Sequence, residues 1–474
     1  MLNIMPETLI WDVTQLCNLS CIHCYNNDRY GKNNIYHSGK DLTTEEARNA
    51  IEKIANSGVK HIHLLGGEPF CRKDIFELCS FAKKEGLMVT VNTNGLFLTP
   101  ENCEKLVFSE VDSITVSLDG ATSEVHDRIR GRGVFDQVIK NLEVFLNKRN
   151  ELKSKIKVFI AFTMLNYNIH QIPLIVDLAM NMGLDGIDIM ELYSSGNASN
   201  GKFDYSKDES IKQMEMLARK LRNNQKYFSN FFVQLDTVFS LVEYLNKKYL
   251  ANFSFNPEFT NCTASDGMFY MQADGELHPC GVANNPLYNK NLLNDGAYKI
   301  ESINIKNIRS LEEMVKSDYN QTFLNFKKLF RARQFTQFPI CSSCEHRTIC
   351  SQLCPIIYYY KNNIEICSKV KKLKNNFIRD MINKKVFLRR EVLKKEENDK
   401  IYLWDHQWKT YRLIEGSGNE IWRLIEKGEN EIRNIIKELD KKYNNEVKRD
   451  KIKEDVVFFI NELYNSEFVT LEEL

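Results

Sequence analysis

Between residues 8 and 225, short apolar runs alternate with stretches in which apolar residues recur every three or four positions. The runs lie at 9–13, 61–65, 87–91, 114–118, 158–162 and 186–190, and helical spacing covers 44–55, 74–84, 135–148 and 169–180. In the first helical stretch Thr43 stands at the N-cap, Glu46 completes a capping box three residues on, and Gly58 follows the end. Continuous apolar strands, each followed by a helix, predict a parallel sheet covered by helices. Six such units fit either an open doubly wound sheet or a partial barrel. From 226 to 375 this rhythm is lost. A hairpin is expected over 267–279 with Asp274 and Gly275 at its turn, and the rest reads as loop. Residues 369–400 are rich in Lys and Asn and read as a helical or solvated connection. Beyond them, strands are expected at 385–389, 401–404 and 408–413, then helices at 420–426, 431–443 and 451–464 and a last short strand at 468–471. The domains read as 1–225, 226–375 and 385–474.

Composition narrows the class. A chain of 474 residues allows about three domains. With 64 basic and 63 acidic residues the net charge is +1, which gives no overall field toward nucleic acid or anionic lipid. The sequence shows neither a membrane span nor a secretory signal, so a cytoplasmic protein is expected. Its 13 cysteines are then expected to serve metal or redox chemistry rather than disulfides. They are grouped: Cys17, Cys21 and Cys24; then Cys262 and Cys280; then Cys341, Cys344, Cys350, Cys354 and Cys367. Cys71, Cys79 and Cys103 stand apart and read as packing residues, as do His61 and His63.

Three thiolates at C-x3-C-x2-C spacing suit three corners of a [4Fe–4S] cluster whose fourth iron takes another ligand. A structural zinc site would want four protein ligands, and His23 is awkwardly placed to be the fourth. The motif, with His23 before its last cysteine, resembles the radical SAM signature. So do Gly66-Gly67-Glu68-Pro69 after the second strand, Thr93-Asn94-Gly95 after the third and Ser117-Leu118-Asp119-Gly120 at the fourth. The resemblance covers about residues 8–190 and implies a partial (β/α)6 barrel binding S-adenosylmethionine at the cluster. It implies that Gly66, Gly67, Glu68 and Pro69 meet the methionine amino group. Ser117 would lie near the ribose or carboxylate, His23 near the adenine and Arg130 against the carboxylate, with Asp119 also at the cofactor site.

The later cysteines, Cys262-x12-Gly275-x4-Cys280 and Cys341-x2-Cys344-x5-Cys350-x3-Cys354 followed by Cys367, resemble the SPASM extension, which carries two auxiliary iron–sulfur clusters. The resemblance implies an outer cluster on Cys341, Cys344, Cys350 and Cys367 and an inner one on Cys262, Cys280 and Cys354. The inner cluster then has an open iron or a non-cysteine ligand such as His278. Gly281 stands where sulfatase-maturing relatives have an aspartate base, which argues against formylglycine formation. Residues 385–474 resemble PqqD-like recognition elements, winged-helix domains that take up a leader peptide as an added strand.

Together these resemblances imply a radical SAM enzyme that modifies a ribosomally made precursor peptide through a thioether or carbon–carbon cross-link. Its electron donor would be a flavodoxin or ferredoxin, with no nucleic acid or membrane partner. The alternatives are a small-molecule enzyme of tetrapyrrole or quinone synthesis and a non-enzymatic metal-binding protein.

Overall fold

The computed structural model describes residues 5–26, 41–192, 196–200, 202–223, 230–254, 264–265, 267–281, 303–325, 339–342, 344, 364–389, 392–405, 410–443 and 446–474. The chain divides into two compact units. One comprises Met1–Leu217, Gln225–Phe239 and Phe253–Ile364, the other Ala218–Asn224, Ser240–Asn252 and Glu365–Leu474.

The first unit is built on a parallel sheet of β1 (Thr8–Asp12), β2 (His61–Leu65), β3 (Met88–Thr93), β4 (Ser113–Ser117), β5 (Lys157–Met164), β6 (Gly186–Glu191) and β7 (Phe232–Asp236), in that spatial order. Strands that neighbour one another in sequence also neighbour one another in space, so every right-handed crossover lays its helix on the same side of the sheet. The alternating side chains record this. Ile62, Leu64, Val89, Val91, Ile160, Phe162, Ile187 and Ile189 are buried, while their intervening partners are mostly half-exposed on the opposite face.

The six expected βα units are present, and the capping box at Thr43 and Glu46 forms as its spacing requires. Two features differ from the sequence reading. The loss of rhythm after residue 225 hides a seventh parallel strand, β7. The hairpin of β8 (Met268–Met271) and β9 (Glu276–His278) also joins the same sheet, because β8 pairs in parallel with β1, and β10 (Ile303–Asn304) pairs beyond β9. Strands this short carry too few positions for a period to show. Gly275, at φ +90°, makes the expected turn.

In the second unit, β11 (Lys384–Leu388) pairs with β15 (Val469–Glu473), and β12 (Val392–Glu397), β13 (Lys400–Asp405) and β14 (Thr410–Ile414) form an antiparallel sheet. Three helices, Ser417–Glu426, Ile432–Tyr443 and Arg449–Asn465, bury Ile421, Trp422, Ile435, Ile436, Val456 and Ile460 in one core. The helix Phe239–Tyr249 also joins this unit, since Asn461 Nδ2 donates to the carbonyls of Lys247 and Lys248 at 3.1 and 3.0 Å. The sequence reading missed β12: its run Val-Leu-Lys-Lys-Glu-Glu has the charge of a loop, and its strand form comes from pairing with β13. A 19-residue helix, Ile364–Ile382, begins ahead of the connection read as helical or solvated at 369–400 and runs into its first half.

Candidate active site

Every motif of the first unit lies at the carboxyl end of a parallel strand, the edge where open α/β sheets present their sites. Cys17, Cys21 and Cys24 follow β1, Gly66 to Pro69 follow β2, Asn94 and Gly95 follow β3, and Asp119 follows β4. Side-chain bonds tie these loops together. Glu68 is buried, and its carboxylate accepts from Phe70 N at 3.2 Å, Thr93 Oγ1 at 2.8 Å and Asn94 N at 2.6 Å. Asn94 Nδ2 in turn donates to Asn18 Oδ1 at 2.7 Å, within the cysteine loop. Burial lifts the Glu68 carboxyl to about 7 against the pull of these donors. The Gly66 carbonyl accepts from Asn26 Nδ2 at 3.0 Å.

Asp119 organises the other side. It is wholly buried, and its Oδ2 accepts from Arg130 Nε at 2.6 Å and lies 3.3 Å from His23 Nε2, while Oδ1 accepts from Thr163 N at 2.9 Å. Burial pushes this carboxyl up, but Arg130, His23 and the Thr163 amide together hold it below the usual carboxylate range. Arg130 thus pairs with Asp119 and places Nη1 4.0 Å from Cys21 Sγ. Burial drives the His23 ring down to about 4, so it is neutral at physiological pH, and its buried Nδ1 has no hydrogen-bond partner among the described residues. Ser117 ends β4 on the half-exposed face.

The cysteine loop is buried against this frame. Burial, with Cys21, Glu68 and Cys24 nearby, pushes the Cys17 thiol up to about 12, and burial pushes Cys21 up to about 11. Among the described residues no three His, Cys, Asp or Glu side chains converge as a single metal ion would need. Three thiols on one loop, one of them 4.0 Å from a buried guanidinium, are a donor set suited to a polynuclear, anionic thiolate cluster.

Gly67 is required by the loop itself. A Cβ there would meet the Leu16 carbonyl oxygen at 2.1 Å, and one on Gly66 would meet that of Thr14 at 2.5 Å. Gly67→Ala is therefore expected to displace the chain next to Cys17, costing about 3 kcal/mol and lowering bound iron. Urea titration and iron analysis of the purified variant check both effects.

The sequence reading missed several residues. Asn197, after β6, donates from Nδ2 to the Cys21 carbonyl at 3.0 Å and from its backbone N to that of Cys24 at 2.9 Å. Gly196, at φ +58°, packs so closely on Cys24 that a Cβ would lie 2.4 Å from its carbonyl oxygen. A Gly-Asn pair just past a strand was the available signal. Asn18 and Asn26 carried none beyond their closeness to the cysteines.

Residues 11–179 match the family model of the Radical SAM superfamily, and residues 401–469 match that of coenzyme PQQ synthesis protein D (PqqD). The chain carries a radical SAM domain and a PqqD domain. It is 29% identical over 287 residues to an AdoMet-dependent heme synthase of Methanosarcina barkeri, covering 58% of this chain and 77% of that one. It is 32% identical over 195 residues to the mycofactocin maturase MftC of Mycolicibacterium smegmatis, covering 41% of this chain and 47% of the maturase. The chain thus spans about half of that maturase. Its fold is similar to that of Streptococcus suis SuiB bound to S-adenosylmethionine, with a TM-score of 0.54, 18% identity and 76% of each chain covered.

The radical SAM family implies a [4Fe–4S] cluster and S-adenosylmethionine, and Cys17, Cys21 and Cys24 are the candidate thiols for that cluster. Of the second cysteine region, Cys262, Cys350 and Cys354 lie outside the described residues. Cys280 is buried, and Cys341 and Cys344 sit at one short turn where burial and its neighbour raise the Cys341 thiol. Cys367 lies in the helix Ile364–Ile382 of the second unit, its Sγ 3.8 Å from Ser240 Oγ. Both ring nitrogens of His278 are engaged, Nδ1 3.0 Å from Tyr319 Oη and Nε2 3.1 Å from Gln272 Nε2. His61 and His63 both bond Thr90 Oγ1, in keeping with packing roles. No helix among the described residues is long and apolar enough to cross a membrane.

Proposed function

We propose that this protein is a cytoplasmic peptide maturase that cross-links residues of a ribosomally made precursor, with the PqqD domain holding the leader. The single observation that carries this reading is one chain holding both a radical SAM domain and a PqqD domain. The three-stranded sheet β12-β13-β14 supplies what strand addition requires, a small antiparallel sheet with edge strands. Likeness to a mycofactocin maturase and to a PqqA peptide cyclase supports the same class.

Bound at the three thiols, the cluster with S-adenosylmethionine supplies a 5′-deoxyadenosyl radical. The chain's own residues orient and exclude. Cys17, Cys21 and Cys24 hold the cluster; the backbone of Gly66 and Gly67, with Glu68 and Pro69, lines the methionine side. Ser117 and the neutral His23 line the nucleoside side, and the Asp119–Arg130 pair fixes His23 and faces Cys21 with positive charge. The seven later cysteines would hold two auxiliary clusters able to take the electron that cross-linking releases, and a flavodoxin or ferredoxin would supply the reducing electron.

Likeness to a heme synthase over 77% of its length favours a second reading, a small-molecule enzyme of tetrapyrrole synthesis. Under anaerobic reducing conditions with S-adenosylmethionine, the full chain is expected to make a peptide encoded beside its gene lighter by two hydrogen atoms. Fe-coproporphyrin III is expected to remain unchanged. The reverse outcome, read by mass spectrometry, would replace the peptide reading with the porphyrin one.

A further inference from the structure

The sheet of the first unit leaves one acidic residue in an unexplained position. Asp188 sits in the middle of β6, between Ile187 and Ile189, which are fully buried on the helix-covered side. Its side chain therefore points to the opposite, helix-free face. Register places it in a row that crosses four strands: Ser117 pairs with Ala161, Ala161 with Asp188, and Asp188 with Gln234. At ~4.8 Å per strand, Asp188 stands about 10 Å from the Ser117 position along the sheet. Only the methyl group of Ala161 lies between them.

The surroundings of the carboxyl are incomplete. Gln234 hydrogen-bonds to it, yet its Oδ1 is buried and has no partner among the described residues. A carboxylate in mid-strand is unfavourable, and one with an unmet oxygen costs more. Among the described residues no cation compensates it. Asp185, on the same strand's approach, is already paired with Arg149 and Lys157, and the other charged groups on β6 and β7, Glu191 and Asp236, are also acidic. Burial alone lifts the Asp188 carboxyl, to about 7, against the Gln234 hydrogen bond. A group costly to the fold, aimed at the open face in the row of the nucleoside site, is suited to meeting a substrate.

We propose that Asp188 is a catalytic residue that contacts the peptide on the helix-free face of the sheet and takes up the proton released as the cross-link forms. The inference rests on the peptide reading above. The deoxyadenosyl radical breaks a C–H bond of one residue, and that hydrogen leaves as part of 5′-deoxyadenosine. The carbon radical then bonds to a second residue, whose S–H or C–H bond breaks. One electron passes to an oxidised auxiliary iron–sulfur cluster, and one proton passes to the Asp188 carboxylate. The unpartnered Oδ1 is the acceptor atom, and Gln234 holds the other side of the group.

The test compares wild type with Asp188→Asn and Asp188→Glu in the anaerobic assay with the adjacent-gene peptide. Asp188→Asn keeps shape and a hydrogen bond to Gln234, so slow peptide-free formation of 5′-deoxyadenosine and binding of the leader segment should match wild type. Cross-linked product should fall on the order of 100-fold, with Asp188→Glu restoring part of it. Wild-type turnover should rise with pH through the neutral range, and this rise should vanish in Asp188→Asn. Product formation within about threefold of wild type in Asp188→Asn would overturn the proposal. So would an unchanged pH profile, or a loss confined to KM. If peptide-free 5′-deoxyadenosine formation disappears as well, the residue serves the nucleoside site rather than the peptide, and the proposal fails. If wild type leaves the peptide unmodified, the peptide reading falls and takes this inference with it.

Discussion

Cys21→Ala is expected to abolish 5′-deoxyadenosine formation and to remove about four irons per chain. Cys21 is the cysteine most closely held by the frame: Arg130 Nη1 lies at 4.0 Å from its sulfur, Asn197 Nδ2 binds its carbonyl, and Ile22 N donates to the Ile129 carbonyl at 3.0 Å. With one of three thiolates missing, the cluster cannot be retained at this loop, whereas the loop itself keeps its backbone anchors. The control is Cys71→Ser. The Cys71 thiol is half-buried beside the same loop and takes a hydrogen bond from the Asn18 backbone, but it follows the Gly66 to Pro69 motif rather than lying among the three ligands. Iron, sulfide and 5′-deoxyadenosine should therefore stay near wild-type levels. Equal losses in both variants would show that the thiols were wrongly divided between ligand and packing roles.

The largest stability effect is expected at Asp119. Removing its carboxylate by Asp119→Ala leaves Arg130, with a side chain 10% exposed, as an uncompensated buried cation. Breaking such a pair costs about 3–5 kcal/mol. The loss also frees His23 Nε2 and Thr163 N. The double variant Asp119→Ala with Arg130→Met should recover much of the stability, because the stranded charge is gone. It should not recover activity, since Cys21 no longer faces a guanidinium and His23 no longer has a fixed tautomer. Anaerobic urea titration of both variants gives the coupling energy. A single-variant loss below about 1 kcal/mol would mean that water reaches Arg130.

Much of this site was legible in the sequence because its residues follow strand ends, where small numbers of positions carry fixed roles. The cysteine triad and the motifs around Gly66, Asn94 and Asp119 all lie at one edge of one sheet, as the periodicity and spacing implied. What could not be read was how the motifs hold each other. Glu68 was expected to face the cofactor's amino group, and its carboxylate in fact gathers three donors from the ends of β2 and β3. Gly66 and Gly67 were expected to admit a ligand closely, and the nearest atoms to their missing side chains belong to Thr14, Gln15 and Leu16. Arg130 was assigned to a carboxylate of the cofactor, and its nearest carboxylate is Asp119. Contacts between residues distant in the chain leave no trace in local pattern. Asp188 escaped notice for the same reason: a single Asp within an Ile-rich run reads as an interruption until the register sets it beside Ala161 and Gln234.

The parallel pairing of β8 with β1 bears on when the enzyme is assembled during synthesis. β2 to β7 can each dock on the strand made just before, as the nascent chain lengthens. β1 cannot be flanked on both sides until β8 has left the ribosome, and the bond between Tyr270 Oη and Asp12 joins residues 258 positions apart. Asp12 ends the strand that carries the cysteine loop. The strand that carries the cysteine loop is therefore flanked on both sides only after β8 has been translated.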